Sequence, residues 1–217
     1  MLNYFFIISL LGLWRLLFLG VSNFTEKSIS KNILHFIHAL IFVIYYKLYY
    51  NRSYLIDIST SFYTYDLIYI ILQLAQKKTT FNLQGPFIAH HIIAIYGLYL
   101  SSINSSSNFI LMTYYILENS NFMLYVAYHV NKTCTKFPNL VRLVEFLQYL
   151  WYTYFRVVYF SIYLVKDREE IYSHNNVISY FLLTTLYFMG LFWSYKLFLK
   201  NIKNISLIME EIKPKLE

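Results

Sequence analysis

Charge is scarce in this sequence: Asp, Glu, Lys and Arg make up 13% of its 217 residues, about half the ~25% of ordinary soluble domains. Glycine (5), proline (3) and cysteine (1) are also few. A single cysteine, Cys134, excludes an intrachain disulfide and any cysteine-based metal site. Five glycines are too few for the filter of a channel. No long polar block remains that could fold as a separate soluble domain. Apolar residues fill the space instead, at 58% hydrophobic, 21% aromatic and a mean hydropathy of +0.45. They fall in long blocks rather than on alternating faces. The chain therefore reads as one all-α polytopic membrane protein. Its net charge of +7 does not indicate nucleic acid, because the basic residues gather at the ends of apolar runs, where they anchor and orient helices.

A hydrocarbon core of ~30 Å needs roughly 20 apolar residues per helix. Seven stretches fit that length, at about 3–21, 32–50, 61–76, 87–103, 109–130, 142–165 and 176–199. The run Met1 to Gly20 lacks a basic leader and is interrupted by Arg15, so it reads as a retained helix rather than a cleaved signal. The third span is the weakest, being short and carrying Asp66. Gly85-Pro86 is expected to open the fourth, since proline suits a first helical turn. The Ser/Asn cluster from Asn104 to Asn108 reads as a tight connection. Twelve Lys and Arg fall on the side that holds Lys27, Lys77 and Lys200, and four (Lys47, Arg52, Lys166, Arg168) on the other. That bias places the C-terminus in the cytosol and the sequons at Asn51 and Asn104 on the far side, with those at Asn131 and Asn204 cytosolic.

Ionisable groups inside a span cost ~2.5–3.5 kcal/mol each near its centre, and so point to function. Here they form stripes at helical spacing. His35, His38, Tyr45 and Tyr49 share one face of the second span, and Tyr63, Asp66, Tyr69 and Gln73 one face of the third. The fifth carries Tyr114, Glu118, Asn121 and Tyr125; the sixth carries Glu145, Gln148, Tyr152, Arg156, Tyr159 and Tyr163. Helices that each turn one polar seam inward make a bundle around a polar interior. In the fourth span, His90-His91 stands in an otherwise apolar run. Lipid satisfies neither the donor nor the acceptor of an imidazole, so the pair faces protein, water or a polar ligand.

The plainest alternative is an inert buried ion pair, such as Asp66 or Glu118 with Arg156. His35 and His129 lie near span ends and read as interfacial, His174 lies in a loop, and most of the 24 tyrosines read as belt or packing residues. No metal site is expected. The histidines number six, and adjacent ones point ~100° apart on a helix, too divergent to grip one ion. Acyl transfer or lipid binding fits better. It would use a histidine as base or nucleophile, a carboxylate to orient it, and Arg156 for an anionic headgroup or phosphate.

The order of these motifs resembles the TLC domain, the family shared by TRAM, ceramide synthases and CLN8. Ser30 through Leu40 (SKNILHFIHAL) is similar to the family's Ser-x-x-His-Ala helix start, with His38 at the histidine. Ser61-Phe62-Tyr63-Thr64-Tyr65-Asp66-Leu67 resembles its small-x-Tyr-x-x-Asp-Leu segment, and His90-His91 its paired histidines. Leu117-Glu118-Asn119-Ser120-Asn121-Phe122 is similar to its Leu-Glu-x-Ser-x-Phe segment. Phe155-Arg156-Val157 resembles a shortened Phe-x-x-Arg helix, and Phe192-Trp193 the aromatic end of the last helix.

The resemblance implies six helices around a lipid-accessible cavity (residues 25–203), preceded by an N-terminal helix (1–24) and followed by a cytosolic basic tail (204–217). It implies the endoplasmic reticulum and the handling of an acyl lipid or sphingolipid, with His38, Glu118, Tyr152 and Arg156 at the lipid. The tail Lys213-Pro214-Lys215-Leu216-Glu217 is similar to a di-lysine retrieval signal. A ceramide-synthase-like N-acyltransferase is the alternative. Its catalytic residues would be His90 or His91 with Asp66, and acyl-CoA would be a co-substrate rather than a bound cofactor. Against it, Ser101 to Tyr115 lacks the acidic residues and histidine that ceramide synthases carry after the paired histidines, so the pattern is closer to short TLC-domain proteins. A third reading is a TRAM-like or CLN8-like factor that binds a second copy or another membrane protein.

Overall fold

A computed structural model describes residues 2–48, 52–103, 108–166 and 177–212. The sequons at Asn51 and Asn104, Tyr49, Arg168, His174, most of the Asn104–Asn108 connection and the Lys213–Glu217 tail lie outside the described residues. Helix is the regular structure throughout, with no strand among the described residues. The chain divides into two compact units, Met1–Tyr115 and Ile116–Glu217.

The first unit holds α1 (Tyr4–Ser22), α2 (Lys27–Leu48), α3 (Arg52–Ala75), α4 (Phe81–Ile103) and the opening turns of α5 (Asn108–Thr133). α3 is its hub and packs on α1, α2 and α4. Over its span 56% is buried, against 17% for α1. The span that reads as weakest in sequence is therefore the central one. Its fully buried Ser59 and Ser61 are small enough for neighbours to approach closely, and Phe62 fills the space beside them. Low hydropathy here marks a helix facing protein rather than lipid.

Local signals set the helix ends. The Asn3 side chain accepts from the Phe6 N–H at 3.1 Å, while its own backbone N–H donates to Asp57 Oδ1 on α3 at 3.3 Å. The fourth helix begins at Phe81, not at Pro86, because the Thr80 carbonyl takes the Leu83 and Gln84 N–H groups at 3.2 and 3.1 Å. Pro86 thus lies inside α4 and withholds one donor from the carbonyl of Asn82. Asn82 is exposed, which makes that loss tolerable.

α3 ends in a left-handed turn. The Lys78 N–H closes on the Gln73 carbonyl at 3.0 Å, with Lys77 at φ 53°. Glycine suits that conformation and lysine does not. Lys77→Gly is expected to stabilise the protein by about 0.5–1 kcal/mol, read as a raised Tm in detergent.

The second unit holds the remainder of α5, then α6 (Pro138–Thr153), a π-helical stretch (Tyr154–Tyr159), α7 (Phe160–Lys166) and α8 (Val177–Ile212). Pro138 stands in the first turn of α6, where its missing N–H has no partner to lose. The wider π turn shifts the register of the polar stripe. Glu145, Gln148, Tyr152, Arg156 and Tyr163 are buried as expected, but Phe160 rather than Tyr159 completes the face.

α8 is held to this rod by Thr153 Oγ1 on Ser194 Oγ (2.5 Å), by Lys200 Nζ on Glu145 Oε1 (2.7 Å) and by Asn204 Nδ2 on Glu145 Oε2 (2.7 Å). Gly190 permits the closest approach. A Cβ there would stand 3.1 Å from the Arg156 carbonyl oxygen and 3.2 Å from its Cβ. Gly190→Leu is expected to cost about 1–3 kcal/mol by overpacking this seam, measured by thermal unfolding.

Tyr4–Ser22, Lys27–Leu48, Ser53–Ala75 and Phe81–Ile103 are long and apolar enough to cross a membrane. Of the later helices, α5 carries Glu118 to Asn121 at its middle, and α6 and α7 are 16 and 7 residues long. Large apolar side chains point outward along both units, among them Phe5, Leu16, Ile92, Ile162 and Phe188. That surface suits hydrocarbon and would aggregate in water.

Candidate functional site

The first unit gathers its ionisable groups on Asp66, which is 3% exposed. Lys31 Nζ stands 3.0 Å from Oδ1, while His35 Nε2 and His91 Nε2 stand 3.4 and 2.9 Å from Oδ2. Three helices thus meet on one carboxyl. Lys31, His35 and His38 follow at i, i+4 and i+7, one face of α2 turned toward α3. The same spacing on α3 brings Asp66 beneath Tyr63.

His91 is oriented from both sides. Its Nδ1 lies 2.5 Å from the Phe87 carbonyl, an acceptor, so Nδ1 carries a hydrogen. Nε2 is buried and has no aligned hydrogen-bond partner, yet it approaches Asp66 Oδ2 more closely than two bare acceptors tolerate. The contact therefore holds a proton, carried by the imidazole or by the carboxyl. In this arrangement neither ring nitrogen of His91 is turned toward open space.

Aromatic rings wall the cluster. His38 stacks on Phe62 at 4.1 Å and 6°, and its Nε2 meets Ser59 Oγ at 3.1 Å, so it is a packed partner of α3. The Tyr63 ring stands edge-on to His38, His91 and His90 at 5.3, 5.5 and 6.2 Å. The adjacent histidines diverge as helix geometry requires. His91 is buried, His90 is half-buried, and their rings are 5.6 Å apart at 85°. Trp14 of α1 donates its indole N–H to Ser61 Oγ at 3.0 Å. Tyr114 donates its hydroxyl to the Ala94 carbonyl, in a space left by Gly97.

Arg156 lies in the second unit and is 7% exposed. Its Nε donates to Ser120 Oγ at 2.7 Å, its Nη2 to Asn121 Oδ1 at 3.4 Å, and its Cζ lies 5.5 Å from the centre of the Tyr152 ring. Ser120 in turn donates to the Leu117 carbonyl at 2.5 Å. Trp151 fixes the same stretch of α5 through the Asn119 carbonyl at 2.7 Å. Glu118 is buried at 3% exposure. The expected sites thus fall in two groups, Asp66 with His38, His90 and His91 in one unit, and Glu118, Tyr152 and Arg156 in the other.

Lys31 and His35 escape a reading that assigns span-end residues to the interface, although their spacing with His38 marks them. Ser120 is marked only as the serine of the TLC-like Leu-Glu-x-Ser-x-Phe segment, and Gly190 gives no signal, since its role depends on which helix lies opposite. No group of His, Cys, Asp and Glu suited to a metal ion occurs among the described residues.

A family model for the TLC domain, that of TRAM, LAG1 and CLN8, matches residues 2–199. The chain belongs to the TLC-domain family. Comparisons with curated proteins and with solved structures give no match. The match takes in α1 through most of α8. Two of the TLC-like segments, one ending in Asp66 and one holding His90-His91, meet in space at the 2.9 Å contact. The family and the outward apolar faces together describe a membrane TLC protein.

Proposed function

We propose that this TLC protein handles an acyl lipid within the membrane, with the Asp66–His91 pair as the polar end of the lipid site. The observation that carries this reading is the pair itself, a carboxyl and an imidazole 2.9 Å apart and both 3% exposed, within helices whose outer faces suit hydrocarbon. Buried ionisable groups at membrane depth are costly and mark sites. His90, half-buried beside Tyr63, is the imidazole better placed to meet a lipid carbonyl or hydroxyl. The charge bias and the Lys213–Glu217 tail support residence in the endoplasmic reticulum, with seven spans and a cytosolic C-terminus. Mass spectrometry of lipid retained by the purified protein tests the reading. A defined acyl lipid is expected in wild type and depleted in His90→Ala; a preparation free of acyl lipid refutes it.

N-acyl transfer from acyl-CoA is a second reading, favoured by the carboxyl that orients His91. The closure of both His91 nitrogens weighs against that residue as the base. Labelled acyl-CoA and a long-chain base decide between the two. Turnover that vanishes in His91→Ala or in His90→Ala establishes the enzyme and its histidine, and absent turnover in wild type removes it.

A further inference from the structure

We infer that Arg156 forms a site of its own within the second unit, one that takes an oxyanion, and that this oxyanion is the headgroup of a membrane lipid. The identification with a headgroup rests on the lipid reading; the requirement for an anion does not. Arg156 is nine-tenths buried, and its side chain is a guanidinium cation with five N–H donors and no acceptor. Its partners are neutral: Ser120 Oγ, Asn121 Oδ1 and the face of Tyr152. No carboxylate stands within ion-pair distance of it among the described residues. A desolvated cation without a counter-charge is strongly unfavourable.

The guanidinium is also presented in one direction. Nε–H and the neighbouring Nη2–H form one edge of the plane, and Ser120 and Asn121 occupy that edge. Ser120 is fixed in its turn by the Leu117 carbonyl. The outer fork remains, one hydrogen on Nη2 and two on Nη1. Two parallel N–H groups match two oxygens on one phosphorus or carbon, which is how arginine recognises phosphate and carboxylate. The backbone is suited to hold it there. Arg156 sits on the π turn, a distortion frequent at functional sites, and Gly190 clamps its backbone from α8.

Thermal unfolding of the full-length protein in neutral detergent tests this with four probes: oleoyl lysophosphatidate, oleate, neutral monooleoylglycerol and inorganic phosphate. The two anionic lipids are expected to raise the Tm saturably and to bind about tenfold or more tightly than the neutral lipid of the same chain. Arg156→Gln should erase that difference. Arg156→Lys, which keeps the charge and loses the fork, should retain part of it. If Arg156→Gln does not fold, the wild-type ranking and Arg156→Lys decide the matter alone. Equal affinity for charged and neutral lipids overturns the oxyanion site and leaves the lipid reading standing. A rise with inorganic phosphate alone, lost in Arg156→Lys, keeps the oxyanion site but makes free phosphate its source and removes the lipid. No rise with any probe refutes both.

Discussion

Asp66→Ala is expected to destabilise the protein by about 3–5 kcal/mol, the largest effect of any single polar truncation in the first unit. The loss comes less from attraction than from what the mutation leaves behind. His91, 3% exposed, would keep a buried nitrogen with no opposite charge beside it. Lys31 contributes much less, because its side chain is 31% exposed and water competes for its ammonium. Lys31→Met should therefore cost about 1 kcal/mol or less. Asp66→Asn keeps the shape and removes the charge, so it falls between the two. Thermal or denaturant unfolding in one detergent orders the three variants. Equal losses for Lys31→Met and Asp66→Ala would mean that the exposed pair, not the buried one, holds α2 and α3 together.

Phe62→Ala is expected to cost about 3–5 kcal/mol and to loosen the cluster without touching a charge. Phe62 is 2% exposed and lies at the meeting of three helices. Its ring is stacked on His38 at 4.1 Å and stands edge-on to His35 at 5.0 Å and to Trp14 at 5.1 Å. Inside a membrane the drive to bury apolar surface is weak, so such dispersion contacts carry much of the association between helices. Truncation should lower the Tm and also make the Trp14 indole N–H exchange faster by NMR. Phe62→Leu, which fills most of the volume, is expected to recover at least half of the stability.

Much of the architecture is legible from the sequence, because hydrocarbon permits few alternatives to helix. The apolar blocks mark the helices, and the polar stripes mark their inward faces. The Asp66 and His90-His91 segments are recognisable as TLC-like before their contact is seen. What eludes reading along the chain depends on neighbours in space. α3 reads as weak because its apolar span is short and carries Asp66, yet it is the helix that packs on α1, α2 and α4, with Ser59, Ser61 and Asp66 buried. The start of α4 depends on the Thr80 carbonyl rather than on Pro86. The π turn at Arg156 has no sequence signature of its own, and it moves burial from Tyr159 to Phe160. Lys31 and His35 look interfacial by position, and their roles emerge only when the α2 face is set against Asp66.

The most direct test of the account is to locate the lipid. A diazirine-bearing acyl lipid is equilibrated with the protein in nanodiscs and activated by light, and the labelled residues are mapped by peptide mass spectrometry. Labels concentrated around Tyr63 on α3 and His90 on α4, and competed away by unlabelled lipid, are the predicted result. Labels confined to outward residues such as Ile68 and Ile92, and insensitive to competitor, would show only bulk membrane around the bundle and would contradict the account.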